Sequence, residues 1–324
     1  MLGIDLGSNT LRAVQMDACL NKIKEYEFVI GAAKNLNQSG EISQEAIQRL
    51  KKALNILAKE QDLSKANAVA TAAFRKANNT LKIFADLKEE FNINFKVIDA
   101  KNEAKMSVLG MKIALFKLGI YGEFAYCDLG GASCELSFKN YCESFDFGII
   151  SFYEKNQYLA FKKSYFNKKI LKQYPKFITQ IKDKKLKLHF LIKDSHFKYL
   201  AFKAFDEVAK IKKALKFLKA KTVVINSGVP TMLSALKQNM FYDKYEAKKV
   251  NGKRLCHKDF LNYAIKLFYM DEKIALKQVG MMRKRYLSAG CLLFYALFDK
   301  HKLIVVDEGL REGVCLAGIK NIRF

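Results

Sequence analysis

Apolar positions along the chain follow two spacings in turn, one typical of helices and one typical of buried strands. Between residues 46 and 57 apolar side chains recur every three or four positions, which marks one face of a helix, and Ser43 stands at its expected N-cap. Residues 81–91 repeat that pattern, and short apolar runs at 67–72 and 95–99 predict buried strands. The alternation predicts an α/β fold in which helices cover the sheets.

The segment 4–14 has a counterpart at 127–138. Each segment begins with apolar residues, reaches Asp-Leu-Gly, passes through small polar residues and becomes apolar again. The aspartates, Asp5 and Asp128, lie 123 positions apart, which is the length of a domain rather than of a solenoid repeat. The echo therefore predicts two related α/β domains, each opening with a strand–turn–strand hairpin.

The remaining pattern completes these two domains. We expect domain I to comprise residues 1–122 and domain II residues 123–306, with a terminal helix in residues 307–324 that packs back on domain I. The further elements are a helix at 101–116 and strands at 124–128, 142–147, 223–225 and 302–306.

The composition changes this picture little. Only two prolines occur among 324 residues, and the first residues already form a strand, so we expect neither a long linker nor a signal peptide. The longest apolar stretch, residues 287–298, is too short to span a membrane and is typical of a buried helix. None of the seven cysteines is spaced as C-x-x-C, which argues against a zinc site and a disulfide framework. A cytoplasmic protein without a membrane partner is expected.

The formal net charge of +25 has two interpretations of equal weight. One is an anionic partner such as polyphosphate or a nucleotide, and the other is a solvated lysine surface with no partner. The densest lysine run, residues 162–219, is interleaved with apolar residues, and its last part is spaced as an amphipathic helix. We expect no nucleic acid among the partners, and a homodimer as the default assembly.

The turns of the two hairpins are candidate phosphate sites. A tight turn of small residues after a strand directs several backbone N–H groups into one concavity, and glycine allows positive φ or close approach. A single turn of this kind is usually structural, whereas two copies can face each other as a clamp. The candidates are Gly7, Ser8, Asn9 and Thr10 in the first turn, and Gly130, Gly131, Ala132, Ser133 and Cys134 in the second.

Charged residues beside these turns supply further chemistry. Asp5, Asp128 and Glu135 are candidate Mg²⁺ ligands, although each aspartate could instead cap its own turn. Arg75 follows a strand and suits a phosphate by bidentate hydrogen bonds, or else forms a surface ion pair. Glu103 begins a helix, where a carboxylate is stabilised by the dipole, and becomes a candidate general base if a phosphate lies beside it.

Five motifs, taken in order, resemble the exopolyphosphatase and guanosine pentaphosphate phosphatase family, Ppx/GppA, of the actin, Hsp70 and acetate-and-sugar-kinase superfold. The resemblance runs from the first residues to the last helix and implies two ribonuclease H-like domains with a cleft between them. The motifs are residues 4–10 (IDLGSNT), 70–75 (ATAAFR), 128–136 (DLGGASCEL), 226–231 (NSGVPT) and 307–313 (DEGLREG).

The resemblance implies roles for individual residues. The segment 98–104 resembles the family's I-S-G-x-E-E-A, so Glu103 takes the place of the catalytic base. Arg75 is implied to hold substrate phosphate, Asp128 with Glu135 to organise Mg²⁺, and the two turns to bind phosphoryl oxygens. The implied reaction is in-line attack of water on a terminal phosphate, activated by Glu103 in a cleft that closes.

Some positions depart from the family pattern. Ala132 replaces a glycine and Cys134 a threonine, so we expect a backbone strained by positive φ at Ala132 and a weak thiol donor at Cys134. Asp99 replaces a serine four residues before Glu103, and if it points inward it would raise the pKa of that carboxyl.

Inorganic polyphosphate and the 5′ end of guanosine pentaphosphate (pppGpp) are the two expected substrates, with Mg²⁺ as cofactor. Lysine content favours the polymer and the short chain favours the nucleotide. A kinase or ATPase of the same superfold and a non-catalytic polyphosphate or nucleotide sensor remain alternatives.

Overall fold

The computed structural model describes residues 1–157 and 195–317. Strands and helices alternate along the chain and form two mixed sheets, so the predicted α/β fold is confirmed. The strands are β1 (Leu2–Leu6), β2 (Thr10–Met16), β3 (Lys22–Val29), β4 (Asn67–Ala70), β5 (Phe95–Val97), β6 (Ala125–Leu129), β7 (Cys134–Phe138), β8 (Tyr141–Phe145), β9 (Thr222–Asn226), β10 (Arg254–Leu255) and β11 (Lys302–Val305).

Helices occupy most of the remaining described chain, with two short 3-10 turns at Leu63–Lys65 and Tyr242–Lys244. They are α1 (Leu36–Ser39), α2 (Gln44–Ala58), α3 (Ala72–Lys76), α4 (Thr80–Phe91), α5 (Ala100–Lys117), α6 (Ile149–Gln157), α7 (Ser195–Glu207), α8 (Ala209–Leu218), α9 (Gly228–Lys237), α10 (Ala247–Val250), α11 (His257–Tyr269), α12 (Glu272–Val279), α13 (Lys284–Leu297) and α14 (Leu310–Ala317).

The two sheets share one strand order. The first sheet runs β3-β2-β1-β4-β5, with the first three strands antiparallel and the last two parallel to β1. The second runs β8-β7-β6-β9-β11 with the same directions, and β10 is added antiparallel at its edge. The internal echo in the sequence therefore corresponds to a repeated sheet, and each hairpin occupies the same place in its sheet.

Apolar faces predicted from the sequence form the cores. Helix α2 buries Leu50, Leu54 and Leu57, and the Ser43 hydroxyl accepts a hydrogen bond from Ala46 N at 3.3 Å, as an N-cap does. Helix α13 is buried along almost its whole length, which confirms a core helix at residues 287–298. No helix of the described segments is long and apolar enough to cross a membrane.

Helices α5 and α14 cross over between the sheets. Helix α5 comes from the first half of the chain, yet it packs with Met111 and Leu115 against the second sheet. Helix α14 comes from the end of the chain and covers β1 of the first sheet. The two helices contact through glycine, because a Cβ at Gly313 of α14 would lie 1.9 Å from the Met106 carbonyl oxygen of α5. The domain boundary between residues 122 and 123 stays a prediction.

The lysine-rich run at 162–219 lies largely outside the described residues. Its final part is helix α8, which buries Ile211 and Leu215 and exposes Lys210, Lys213 and Lys216. The predicted amphipathic helix is therefore confirmed, with its lysines on a solvated face.

Candidate active site

A cavity of about 180 Å³ lies between the two sheets, and both hairpins line it. The hairpins lie opposite each other, since a Cβ added at Gly131 would lie 3.2 Å from the Cβ of Ser8. Most of the residues predicted from the sequence are brought together here. Those that line the cavity are Asp5, Gly7, Ser8, Asn9, Thr10, Glu103, Asp128, Gly130, Gly131, Ser133 and Glu135; Arg75, Ala132 and Cys134 do not.

The two turns are closed in the same way. Gly7 N donates to Thr10 O at 2.9 Å, and Gly130 N donates to Ser133 O at 2.9 Å, so these two amides are occupied within the turns. Within the described chain, the N–H groups of the next two residues in each turn donate no hydrogen bond to protein: Ser8 and Asn9 in the first turn, Gly131 and Ala132 in the second. These four amides are the available anion donors.

The expected backbone strain at Ala132 is wrong. Residues with positive φ occur elsewhere in the described chain, and neither turn contains one. Position 131 is crowded for a different reason, because a Cβ there would lie 3.1 Å from Cδ1 of Ile150 and 3.2 Å from Cβ of Ser8. The alanine at 132 therefore fits the turn without distortion.

The side chain of Cys134 faces the core, which corrects the prediction that it contacts phosphate. It is fully buried, its Sγ lies 3.7 Å from Sγ of Cys127, and burial raises the pKa of its thiol well above the usual value. The reason is strand alternation, because Ser133 and Glu135 on either side point towards the cavity.

Cross-strand pairing arranges charged side chains in two rows. In the first row Asp5 of β1 pairs with Arg12 of β2, and Arg12 pairs with Glu27 of β3. In the second row Asp128 of β6 pairs with Glu135 of β7, and Glu135 pairs with Ser144 of β8. Directly opposed residues place their side chains on one face of a sheet. Asp5, Arg12, Glu27, Asp128 and Glu135 all line the cavity.

Asp5 has the least support among these carboxylates. Its Oδ1 is buried without a hydrogen-bond partner in the described structure. Burial raises its pKa to about 7, with the charge of Glu103 adding to the effect and Arg12 opposing it. An unsupported carboxylate oxygen facing other carboxylates suits a bound cation.

The second row is better supported by hydroxyl groups. Ser107 of α5, only 1% exposed, donates to Oδ2 of Asp128, and Ser144 donates to Oε1 of Glu135 at 2.9 Å. Burial raises the pKa of both carboxyls, and the hydroxyl donors oppose that shift. For Glu135 burial dominates, and its pKa lies well above the usual range.

Glu103 lies in the first turn of α5 and is 9% exposed. Arg75 Nη1 donates to Glu103 Oε2 at 2.6 Å and to Ile98 O at 2.7 Å. Arg75 therefore sits behind the carboxylate rather than in the cavity, and its predicted contact with phosphate stays a prediction. Burial raises the pKa of Glu103, and the charge of Arg75 opposes the shift.

Asp99 does not act on Glu103 as expected. It is the N-cap of α5, and its carboxylate accepts from Asn102 N at 2.7 Å and from Asn102 Nδ2 at 3.0 Å. A capping carboxylate turns towards the helix N-terminus, and its charge is not among the causes of the raised pKa of Glu103. Asp99 therefore does not point inward, and the condition for the like-charge repulsion is not met.

Sequence reasoning missed several residues of the cavity. The spacing of seven from Asp5 to Arg12 equals that from Asp128 to Glu135, so the internal repeat held the signal for Arg12. Most of the others lie in the motifs 70–75, 226–231 and 307–313 but had been given no role of their own, and only Glu27 and Arg283 lie outside every motif. The others are Glu27, Thr71, Asn226, Ser227, Gly228, Arg283, Asp307, Arg311 and Glu312.

The motif 307–313 forms a buried ionic network at the base of the cavity. Arg311 is 5% exposed and contacts Asp307 at 3.0 Å and Glu312 at 2.7 Å. Arg311 also contacts Glu25 of β3 at 2.9 Å, and Lys22 of β3 contacts Glu312 at 3.2 Å. The network fastens the start of α14 to the edge of the first sheet.

The cavity lining is acidic although the chain is basic. Among the described residues, seven carboxylates and three arginines line it, and no lysine does. Within the described segments no three Asp, Glu, His or Cys side chains are close enough to hold a metal by themselves. The carboxylates Asp5, Asp128 and Glu135 nevertheless fit Mg²⁺, which keeps several waters and uses one or two carboxylates together with substrate phosphates.

Two repeated mixed sheets that enclose a carboxylate-lined cleft define a two-domain α/β protein of the actin-like superfold, with ribonuclease H-like domains. The model of the Ppx/GppA phosphatase family matches residues 15–192, more than half of the chain. The chain therefore belongs to the Ppx/GppA phosphatase family, and the resemblance seen in its motifs is confirmed.

Solved structures agree with this assignment. A Ppx/GppA family member from Aquifex aeolicus is 24% identical, with a TM-score of 0.69 over 100% of this chain and 98% of that one. A structure of the Aquifex aeolicus PPX-GPPA enzyme is 25% identical, with a TM-score of 0.67 over 98% of each chain. An exopolyphosphatase from Cytophaga hutchinsonii is 19% identical and shares the fold, with a TM-score of 0.73 over 99% and 97%. No curated protein matches the chain.

Proposed function

We propose that this protein is a phosphohydrolase that releases the terminal phosphate of inorganic polyphosphate, of the 5′ end of pppGpp, or of both. Membership of a phosphatase family supports hydrolysis of a phosphate ester or anhydride. The observation that carries the proposal is Glu103, a carboxylate with a raised pKa that lines the cavity together with both hairpin turns. A carboxylate with a raised pKa holds a proton more readily than an ordinary one, which suits it to taking a proton from water.

The chain's own groups divide the work as follows. Glu103, held by Arg75, accepts a proton from the attacking water. The free amides of Ser8, Asn9, Gly131 and Ala132 donate to the oxygens of the transferred phosphate. When bound, Mg²⁺ neutralises charge on the phosphate oxygens.

Asp5, Asp128 and Glu135 are the residues that would hold Mg²⁺. They come from both hairpins, so the ion site is complete only when the hairpins are close together. Ser107 and Ser144 fix the orientation of two of these carboxylates before the ion arrives.

Phosphate release from long-chain polyphosphate and from pppGpp, measured with Mg²⁺ for wild type and Glu103→Gln, tests the function. We expect wild type to act on at least one substrate and the variant to lose about 10²- to 10⁴-fold in kcat, the usual contribution of a general base, while still binding substrate. Glu60→Gln, the same substitution at an exposed site beside Lys24, serves as the control and should match wild type.

Other outcomes favour the alternatives. Binding of both substrates without phosphate release would favour a sensor. The backbone of the turn at Ala132 is unstrained, so it gives no reason to expect a loss of activity. Faster turnover of ATP than of either substrate would favour a kinase or ATPase of the same superfold.

A further inference from the structure

The first row places opposite charges side by side. Asp5, Arg12 and Glu27 are directly opposed on β1, β2 and β3. Neighbouring strands lie about 4.8 Å apart, so Glu27 lies roughly 10 Å from Asp5 across the sheet. Glu103 is close enough to Asp5 for its charge to raise the pKa of Asp5, which puts the candidate base at the Asp5 end of the row. Glu27 is at the other end.

Glu27 neutralises the arginine between them. Arg12 Nη2 lies 3.4 Å from Glu27 Oε2, and Nε of Arg12 is buried without a hydrogen-bond partner in the described structure. The Glu27 side chain remains 29% exposed, so its charge faces the open cavity. Burial alone would raise the pKa of Glu27, but the charges of Arg12 and Arg283 outweigh burial and the pKa is lowered. The carboxyl therefore stays ionised at neutral pH.

Among the described residues that line the cavity, the cations besides Arg12 are Arg283 and Arg311. The guanidinium of Arg283 lies 5.0 Å from the centre of the Tyr242 ring, and its positive charge lowers the pKa of Glu27. Arg311 is committed to Asp307, Glu312 and Glu25. Glu27 thus opposes the charges of both Arg12 and Arg283, and a phosphate chain that continued from the hairpin turns past Arg12 would meet its carboxylate in the cavity lining.

We propose that Glu27 is a specificity-determining residue, which limits the cleft to short phosphoanhydride chains and disfavours long polyphosphate. The proposal rests on the proposed phosphohydrolase function and refines its substrate class. An ionised carboxylate beside each additional phosphate raises the free energy of the bound polymer, since like charges facing each other are unfavourable. A short chain of about three phosphates ends before it reaches Glu27, by the strand spacing of the row.

Competition in the Glu103→Gln background tests this, because binding is then measured without turnover. Bound tripolyphosphate is displaced by long-chain polyphosphate at physiological ionic strength with Mg²⁺ present, so that only polymer in the cleft is detected. We expect the polymer, counted per chain end, to bind no more tightly than tripolyphosphate. Glu27→Gln should tighten polymer binding by about tenfold and change tripolyphosphate binding by less than about threefold.

Two further variants isolate the charge. Glu27→Asp keeps the negative charge and should preserve the discrimination, whereas Glu60→Gln removes a charge from the surface next to β3 and should change nothing. Equal effects of the Gln and Asp substitutions would overturn the proposal, because the ion-pair geometry rather than the charge would then matter.

The same competition with Glu27 intact, in the Glu103→Gln background, is a test that does not depend on the folding of a Glu27 variant. Polymer that binds at least tenfold more tightly per end than tripolyphosphate with Glu27 intact would overturn the inference and leave the phosphohydrolase function standing. Binding of neither ligand would overturn both. Tight binding of tripolyphosphate with no phosphate release by wild type would overturn the hydrolase alone, since the discrimination is measured without catalysis.

Discussion

The two hairpins share one backbone and differ in the charge that they present. Each has an aspartate at the end of its first strand, the same hydrogen bond across its turn, and a charged residue seven positions after the aspartate. That residue is Arg12 in the first hairpin and Glu135 in the second. The second hairpin therefore concentrates carboxylates supported by hydroxyls, whereas the first pairs a carboxylate with a cation. One repeated scaffold thus presents a carboxylate pair in the second hairpin and a carboxylate–arginine pair in the first.

Removing the aspartate of each hairpin should have unequal effects on metal binding. Asp128→Asn leaves Glu135 without a carboxylate neighbour on its row, so we expect weaker Mn²⁺ binding and a fall in kcat of at least about a hundredfold, because charge stabilisation by the ion is worth several kcal/mol. Asp5→Asn should weaken Mn²⁺ binding less, since Arg12 already opposes a cation there. Electron paramagnetic resonance titration of both variants compares them. Equal losses of affinity would show that the ion is shared evenly between the hairpins.

The same Asp5→Asn substitution should stabilise the metal-free fold at neutral pH. Burial raises the pKa of Asp5 in the folded state from 3.8 to about 7. At a pH between these two values the folded protein keeps a proton on Asp5 and the unfolded protein does not. Wild-type stability therefore falls as pH rises from about 4 to about 7 and is level above that, by this group alone. The variant avoids the loss, and at about 1.4 kcal/mol per pKa unit we expect a gain of about 4 kcal/mol at pH 8. Urea unfolding at pH 5 and pH 8 measures it; a gain that is larger at pH 5 would contradict the assignment.

Ser107 contributes to the second hairpin from outside it. Ser107→Ala removes the hydroxyl that donates to Asp128, and we expect Mn²⁺ affinity to fall about tenfold, as is usual for groups that orient a metal ligand. Ser107→Thr keeps the hydroxyl and should restore most of the affinity. Ser288→Ala removes an equally buried hydroxyl that bonds to the Ala264 carbonyl away from the cavity, and it controls for packing. An equal loss in the control would assign the effect to stability.

The smallest effect is expected at Ala132. Restoring glycine there should change kcat and KM by less than about twofold, because the native φ is one that alanine adopts freely. Steady-state kinetics decide the point. A large rise in kcat would mean that the turn must pass through a left-handed conformation during the reaction, as the sequence comparison with the family had led us to expect.

The sequence was a good guide where a feature is local or repeated. The Asp-Leu-Gly echo located both hairpins, and apolar periodicity located helices such as α2 and α13. Strand ends were misjudged by one or two residues, as in β8, which was predicted at 142–147 and is Tyr141–Phe145. Such ends depend on pairing with a neighbouring strand, which periodicity does not report.

What the sequence could not supply was the direction of side chains and their distant partners. Arg75 was expected in the cavity, yet it reaches Glu103 and Ile98 because a short helix, α3, turns it behind the base. The direction of Asp99 was left open by the sequence, and the structure shows that it caps α5. Glu27 carries no motif, and its role depends on the register between β2 and β3. These contacts depend on strand register, on the turn between elements, or on one side-chain rotamer, none of which periodicity reports.

The crossing of α5 and α14 has a consequence for how the chain folds during synthesis. One face of the first sheet, formed within the first hundred residues, is covered by α14, and a Cβ at Gly3 of β1 would lie 2.5 Å from the Arg311 carbonyl oxygen. When the ribosome has synthesised the strands of the first sheet, it has therefore not yet synthesised α14, the helix that covers them. This face of the sheet stays uncovered while some two hundred further residues are synthesised, which takes tens of seconds at about 5–20 residues per second. During that interval the nascent chain exposes a sheet surface of the kind that chaperones bind.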